Sequence, residues 1–133
     1  MKWKFISLAF VFFSTAASAK PVYLSCKVSN GKDTKVFSTK LDELSGKVTH
    51  SGKSGEAFNT EGFFAANKIS YQRVSVGGGI KISYMYEIDR TTLDVQEVFS
   101  AEPSDPKMAL EIPGTKIVMS GACEIEEVTE RKI

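Results

Sequence analysis

The stretch Ile80-Lys81-Ile82-Ser83-Tyr84-Met85-Tyr86-Glu87-Ile88-Asp89 alternates for ten residues between an apolar side chain and a mostly polar one. Side chains alternate across a strand and repeat every 3.6 residues around a helix, so this pattern specifies a half-buried β-strand. Val76-Gly77-Gly78-Gly79 immediately before it supplies residues that tolerate the positive φ of a tight hairpin turn. Beyond Lys20 no stretch sustains apolar residues at helical spacing, and period two returns at 22–28, 35–41, 46–50, 57–60, 68–76, 94–100 and 115–126. Turn chemistry separates these runs, as in Ser29-Asn30-Gly31-Lys32-Asp33 and Asp89-Arg90-Thr91-Thr92-Leu93.

The expected fold is a single all-β domain of about eight mostly antiparallel strands, a small barrel or a two-layer sandwich. Two local departures from alternation qualify it. Within 68–76, Ile69 and Tyr71 fall on one parity and Val74 and Val76 on the other, which predicts a β-bulge. In Glu61-Gly62-Phe63-Phe64-Ala65 two aromatics are adjacent. Either the segment is extended and one of Phe63 and Phe64 is exposed as a contact anchor, or a short helical turn buries both. Residues 102–114, with Pro103, Pro106 and Pro113, read as an irregular loop.

The chain has two cysteines. Cys26 shares parity with Val22, Leu24 and Val28, and Cys123 with Ile117, Met119 and Ile125, so both thiols face inward. In an oxidising compartment this predicts a buried disulfide between the first and last strands. A redox-active or metal-binding pair is the alternative, but there is no Cys-x-x-Cys and His50 is the only histidine.

The compartment is read from the N-terminus. Met1-Lys2-Trp3-Lys4 is basic, 5–13 is apolar but for Ser7, and Ala17-Ser18-Ala19 is a small-residue cleavage tripeptide. These are the parts of a Sec-type secretory signal, giving a segment 1–19 removed after Ala19 and a domain at 20–133. The apolar stretch is shorter than the ~20 residues that cross a membrane, so no stable anchor is expected after cleavage. The periplasm, or the medium beyond it, is the expected location.

Charge excludes one class of function. The whole chain carries a formal +1, and the part beyond Ala19 falls to about −1, too little positive charge for a nucleic-acid binder. The distribution is lopsided: residues 20–53 hold seven Lys against three acids, and residues 87–130 hold eleven acids against three bases. Cross-strand pairing, with Lys27 facing Glu124, is one explanation. An acidic surface around Glu124 and Glu126 that steers a basic protein partner is the other.

Catalytic constellations are scarce. Gly52-Lys53-Ser54 lacks the spacing and the following helix of a phosphate loop, and Glu56 stands where a nucleophile elbow needs Gly. Ser104-Asp105-Pro106-Lys107 has the Ser-x-x-Lys spacing without its companion motifs. A Ser-His-Asp arrangement would have to recruit His50, expected to be an exposed bystander beside a Gly/Ser turn. No catalytic residue, metal ligand or cofactor is therefore assigned.

The overall pattern, an N-terminal strand ending in Cys26, the Tyr86-Glu87-Ile88-Asp89-Arg90-Thr91-Thr92 hairpin and a final Gly121-Ala122-Cys123, resembles that of small exported bacterial β-proteins of unassigned function. Ser54-Gly55-Glu56-Ala57-Phe58 is similar to the Ser-Gly-x-x-Tyr motif of the periplasmic C-type lysozyme inhibitor family, with Phe58 in place of Tyr and no counterpart of that family's second, Lys-Gly-containing motif. This second resemblance implies a small β-barrel acting as an acidic inhibitor of a basic enzyme, with Ser54 as the matching contact. The expected function is non-catalytic recognition of another protein, of inhibitor or immunity type, through Ser54, Phe63, Phe64, Glu124 and Glu126. Two alternatives stand: a small carboxylate-dependent hydrolase, and a carrier holding an apolar ligand among Tyr71, Tyr84 and Tyr86.

Overall fold

The computed structural model describes residues 20–53, 55–111 and 113–127. The expected signal segment 1–19 and the contact residue Ser54 lie outside them. The elements in chain order are β1 (Val22–Ser29), β2 (Thr34–Asp42), β3 (Lys47–Gly52), β4 (Ala57–Glu61), β5 (Phe63–Phe64), β6 (Lys68–Gly77), β7 (Ile80–Asp89), β8 (Asp94–Pro103), α1 (Pro106–Ala109) and β9 (Thr115–Glu126). They form one antiparallel sheet in the order β4-β3-β2-β1-β9-β8-β7-β6-β5. The chain meanders from neighbour to neighbour, and β9 returns to lie against β1.

The sheet curls until its two ends meet. Thr60 Oγ1 of β4 donates to the Gln72 carbonyl of β6 at 3.1 Å, and the Phe58 and Tyr71 ring centroids lie 6.3 Å apart across the same seam, tilted by 50°. The result is a nearly closed nine-stranded barrel, in which curling removes most of the exposed edge that a flat sheet would present. Alternation decides what lies inside. Leu24, Cys26 and Val28 of β1, Phe37, Thr39 and Leu41 of β2, and Val48 and His50 of β3 are all buried, while the residues between them are half-buried or exposed. The far wall contributes Ile69 and Tyr71, Tyr86 and Ile88, Val95 and Glu97, and Met119 and Cys123.

Cys26 and Cys123 are direct neighbours in the β1–β9 register and form a disulfide, as the shared inward parity of the thiols requires. The β6–β7 turn is a two-residue hairpin in which Gly78 and Gly79 take φ of 60° and 78°. Left-handed values at both central positions match the right-handed twist of the flanking strands. At Gly121 the requirement is space: a Cβ there would strike the Lys27 carbonyl oxygen and stand 2.9 Å from Val28 Cα.

Three expectations need correction. The β6–β7 ladder runs without interruption from Lys68↔Asp89 to Gly77↔Ile80, so there is no bulge. Val74 and Val76 simply occupy the outer face, 45% and 65% exposed. In the 102–114 segment, β8 continues to Pro103 and is followed by a single helical turn, with the Asp105 carboxylate accepting from Lys107 N at 2.9 Å and Pro106 at the first helical position. Proline is tolerated there because its missing N–H would have had no partner within the helix. Finally, Lys27 lies opposite Ala122, and Ser25 lies opposite Glu124, so the expected cross-strand ion pair does not form.

Candidate functional site

The barrel interior is polar at one end and apolar at the other. At the polar end, β8 places Glu97 between Val95 and Phe99 on the inward parity, and its side chain is only 3% exposed. A buried carboxylate needs a partner, because an unpaired charge in low dielectric is costly. Lys35, the second residue of β2, supplies it: Nζ lies 3.1 Å from Glu97 Oε1 and 5.5 Å from the Tyr84 ring centroid, and its side chain is 49% exposed.

Behind this pair the interior is aromatic. The His50 ring is stacked between Phe37, at 4.6 Å and 26°, and Phe58, at 4.7 Å and 18°. His50 Nδ1 and the Tyr71 hydroxyl share a buried hydrogen bond of 2.8 Å, and Tyr71 stacks on Tyr86 at 4.8 Å. Burial pushes the His50 pKa down to about 4, with the Arg73 and Lys35 charges acting in the same direction, so at neutral pH the ring is uncharged. Burial, the first cause, holds Tyr71 and Tyr86 well above the ordinary phenol range; the Glu97 carboxylate adds to it at Tyr86. This corrects the expectation of an exposed His50: inward parity from Val48 carries it into the core, where aromatic faces and one hydroxyl satisfy it.

A cavity of about 380 Å³ opens onto this cluster, floored by Phe37, His50, Tyr86 and Glu97 and bordered by Lys35, Lys53 and Glu56. At the opposite end a second cavity, of about 360 Å³, is lined largely by Leu24, Leu41, Phe64, Ile69, Ile88 and Leu93. Arg90 and Glu43 also line it: the Arg90 guanidinium grips the Glu43 carboxylate at 3.1 and 2.8 Å and donates to the Ala65 carbonyl at 2.9 Å. That clamp ties the β2–β3 turn to the β7–β8 turn. It also holds the Glu43 carboxyl below its usual range.

The four long strands β6–β9 run on past the buried core, and there apolar side chains occupy both faces. On the outer face Met85, Val98 and Val118 line up in register across β7, β8 and β9, with Met85 50% and Val118 41% exposed. The inner face carries the corresponding row Tyr84, Phe99 and Ile117.

The residues expected to form a partner surface are not gathered in one place. Phe63 and Phe64 form the short strand β5: Phe63 is 69% exposed, and Phe64 turns inward to the apolar cavity. The extended alternative, with one aromatic outside, is the one realised. Glu124 and Glu126 are exposed on β9, four places from β5 in the strand order, and at the opposite end of β9 from Val118. Phe58, the last residue of the lysozyme-inhibitor-like motif that begins at Ser54, points into the barrel against His50. Among the carrier tyrosines, Tyr71 and Tyr86 stack face to face and leave no room between them for a ligand, while Tyr84 packs on Phe99 at 5.1 Å.

Glu97 and Lys35 were missed by the reading of the sequence, although a signal existed. An acid at the central inward position of Val95-Gln96-Glu97-Val98-Phe99 has to be paired or to line a cavity. A scan of family models, a search of curated proteins and a search of solved structures each found no match.

Proposed function

We propose that this is a non-catalytic binding protein, exported to the periplasm, whose target is another protein, in the manner of an inhibitor or an immunity protein. The observation that carries the reading is the two-faced apolar extension of β6–β9. Val74, Val76, Met85 and Val118 share its outer face and are each at least 41% exposed. An apolar surface of this kind is stabilised by covering it, and a β-surface with an aligned row of side chains suits a protein partner. The acidic Glu124 and Glu126, remote from that row, favour a partner of net positive charge through long-range steering. The disulfide, and the absence among the described residues of a helix long and apolar enough to cross a membrane, agree with export.

The test is comparative capture. Tagged wild-type protein is purified from its own compartment at low salt beside Met85→Lys and Val118→Lys variants. A stoichiometric protein held by the wild type, lost from both variants and released by salt supports the reading. Equal retention by the variants would place the contact elsewhere, and no partner in any sample would overturn it.

A second reading is favoured by the apolar cavity lined in part by the Arg90–Glu43 clamp, whose size falls in the range of small-molecule sites. It is the carrier alternative, moved from the tyrosines to the other end of the barrel. Organic extraction of the native protein followed by mass spectrometry tests it, and an empty extract counts against it.

A further inference from the structure

The polar cavity contains a negative charge at its floor and a positive charge that belongs to the protein itself. Glu97 is held within the paired strand β8 and is buried, whereas Lys35 reaches it from near the start of β2 with half of its side chain in solvent. The walls are aromatic: Phe37 and Tyr86 line the cavity, and the Tyr84 ring lies under the Lys35 ammonium. A buried carboxylate in a cavity with aromatic walls is a receptor for an organic cation, since the carboxylate attracts positive charge and the aromatic surface accepts an alkyl stem. Here Lys35 occupies that receptor in cis.

We propose that the cavity floored by Glu97 and walled by Phe37 and Tyr86 is a binding site for a primary alkylammonium group, which replaces the Lys35 ammonium on Glu97.

The exchange is like for like, so Glu97 does not have to stand unpaired in the interior. Lys35, being half-exposed, returns to water at small cost. The charges at the border, Lys53 and Glu56, are opposite in sign and exposed, and Arg73, over the Phe58 ring at 5.4 Å, is a further cation behind the floor, so the attraction for an amine rests on the buried carboxylate alone. Neutral His50 adds no positive charge to the floor. The same ammonium can arrive on a free amine or on a lysine side chain of a polypeptide. The site is argued from the cavity alone and does not depend on the docking surface described above.

The experiment is an NMR titration of isotope-labelled, oxidised wild-type protein with n-butylammonium, and separately with butyrate, which has the same stem length and the opposite charge. Saturable shifts at Lys35, Glu97, Tyr86 and His50 with the amine, and none with butyrate, are expected. Lys35→Ala should bind the amine roughly tenfold more tightly, because the competing internal occupant is gone. Glu97→Gln should abolish binding; the butyrate comparison needs no variant and stands even if that protein does not fold. Cadaverine and N-acetyl-lysine methylamide then distinguish a free amine from a polypeptide source, and tighter binding of either supports the site. Overturning results are shifts with butyrate instead, or binding by Lys35→Ala with none by the wild type, which would make Lys35 a permanent structural occupant.

Discussion

The 2.8 Å hydrogen bond between His50 Nδ1 and the Tyr71 hydroxyl joins β3 to β6 across the inside of the barrel, near the seam where the sheet closes on itself. With Phe37 and Phe58 stacked on its two faces, the imidazole is a core side chain whose charged form the interior disfavours. His50 is the only histidine, so its titration can be read directly from one imidazole Cε1 proton resonance. That resonance should titrate near pH 4 in the folded protein and near 6.5 after unfolding. Between those values the unfolded chain binds the proton and the native one does not. The stability held by neutral His50 is therefore fully present above about pH 6.5, falls as pH decreases, and is gone below about pH 4. At about 1.4 kcal/mol per pH unit, the loss is on the order of 3 kcal/mol. A folded-state midpoint at 6 or above would show the ring to be solvated.

The Lys35–Glu97 pair makes an asymmetric prediction. Lys35→Ala leaves a buried carboxylate without its cation, and should cost roughly 1–3 kcal/mol in urea unfolding. Adding Glu97→Gln to that variant removes the stranded charge and should recover part of the loss. Their non-additivity, about 1 kcal/mol or more in a double-mutant cycle, measures the interaction. Strict additivity would mean that water already neutralises Glu97.

Most of the fold could be read from alternation, because burial of one face of each strand is a local consequence of side-chain order. Ile80–Asp89 and the inward parities of Cys26 and Cys123 led directly to β7 and to the β1–β9 disulfide. The same logic failed at Val74 and Val76. Apolar residues on the second parity can signal a bulge or an uncovered outer face, and only the ladder with β7 distinguishes them. His50 was misjudged because its neighbours Thr49 and Ser51 are polar, although Val48 shares its face. Apart from the inward acid Glu97, the two cavities left no trace in the sequence: each depends on residues from four or more strands brought together by curling.

The outer row of β6–β9 should tolerate charge. Met85→Lys and Val118→Lys exchange exposed apolar atoms for solvated ones, and each should change folding stability by no more than about 0.5 kcal/mol. Denaturant midpoints check this. A large loss in either variant would show that the row packs against the protein itself, and would remove it as a docking surface.

Gly121 is a position where the backbone leaves no choice. A methyl group there collides with the β1 main chain at Lys27 and Val28, which belongs to a paired strand and cannot rotate away as a side chain would. Gly121→Ala should cost about 3 kcal/mol or more, at or above the upper range for overpacking. Ala122→Ser, at the adjacent exposed position, is the control and should be nearly neutral. Equal stability of the two variants would mean that β1 and β9 separate more readily than their ladder implies.

The disulfide joins residues that the β1–β9 ladder already sets opposite one another, so in the native state it adds little positional information. Its main effect falls on the unfolded chain, where it closes a loop spanning a sequence separation of 97 residues. The chain-entropy model assigns a loop of that length about 4.7 kcal/mol, against a typical whole-domain stability of roughly 5–15 kcal/mol. Cys26→Ala/Cys123→Ala should therefore be marginally folded, with a sharply lower urea midpoint than the oxidised wild type. Wild-type protein under reducing conditions should match it, because both lack the same constraint. Only a small drop, below about 1 kcal/mol in both samples, would indicate that β1 and β9 remain associated in the unfolded ensemble, leaving the covalent bond little freedom to remove.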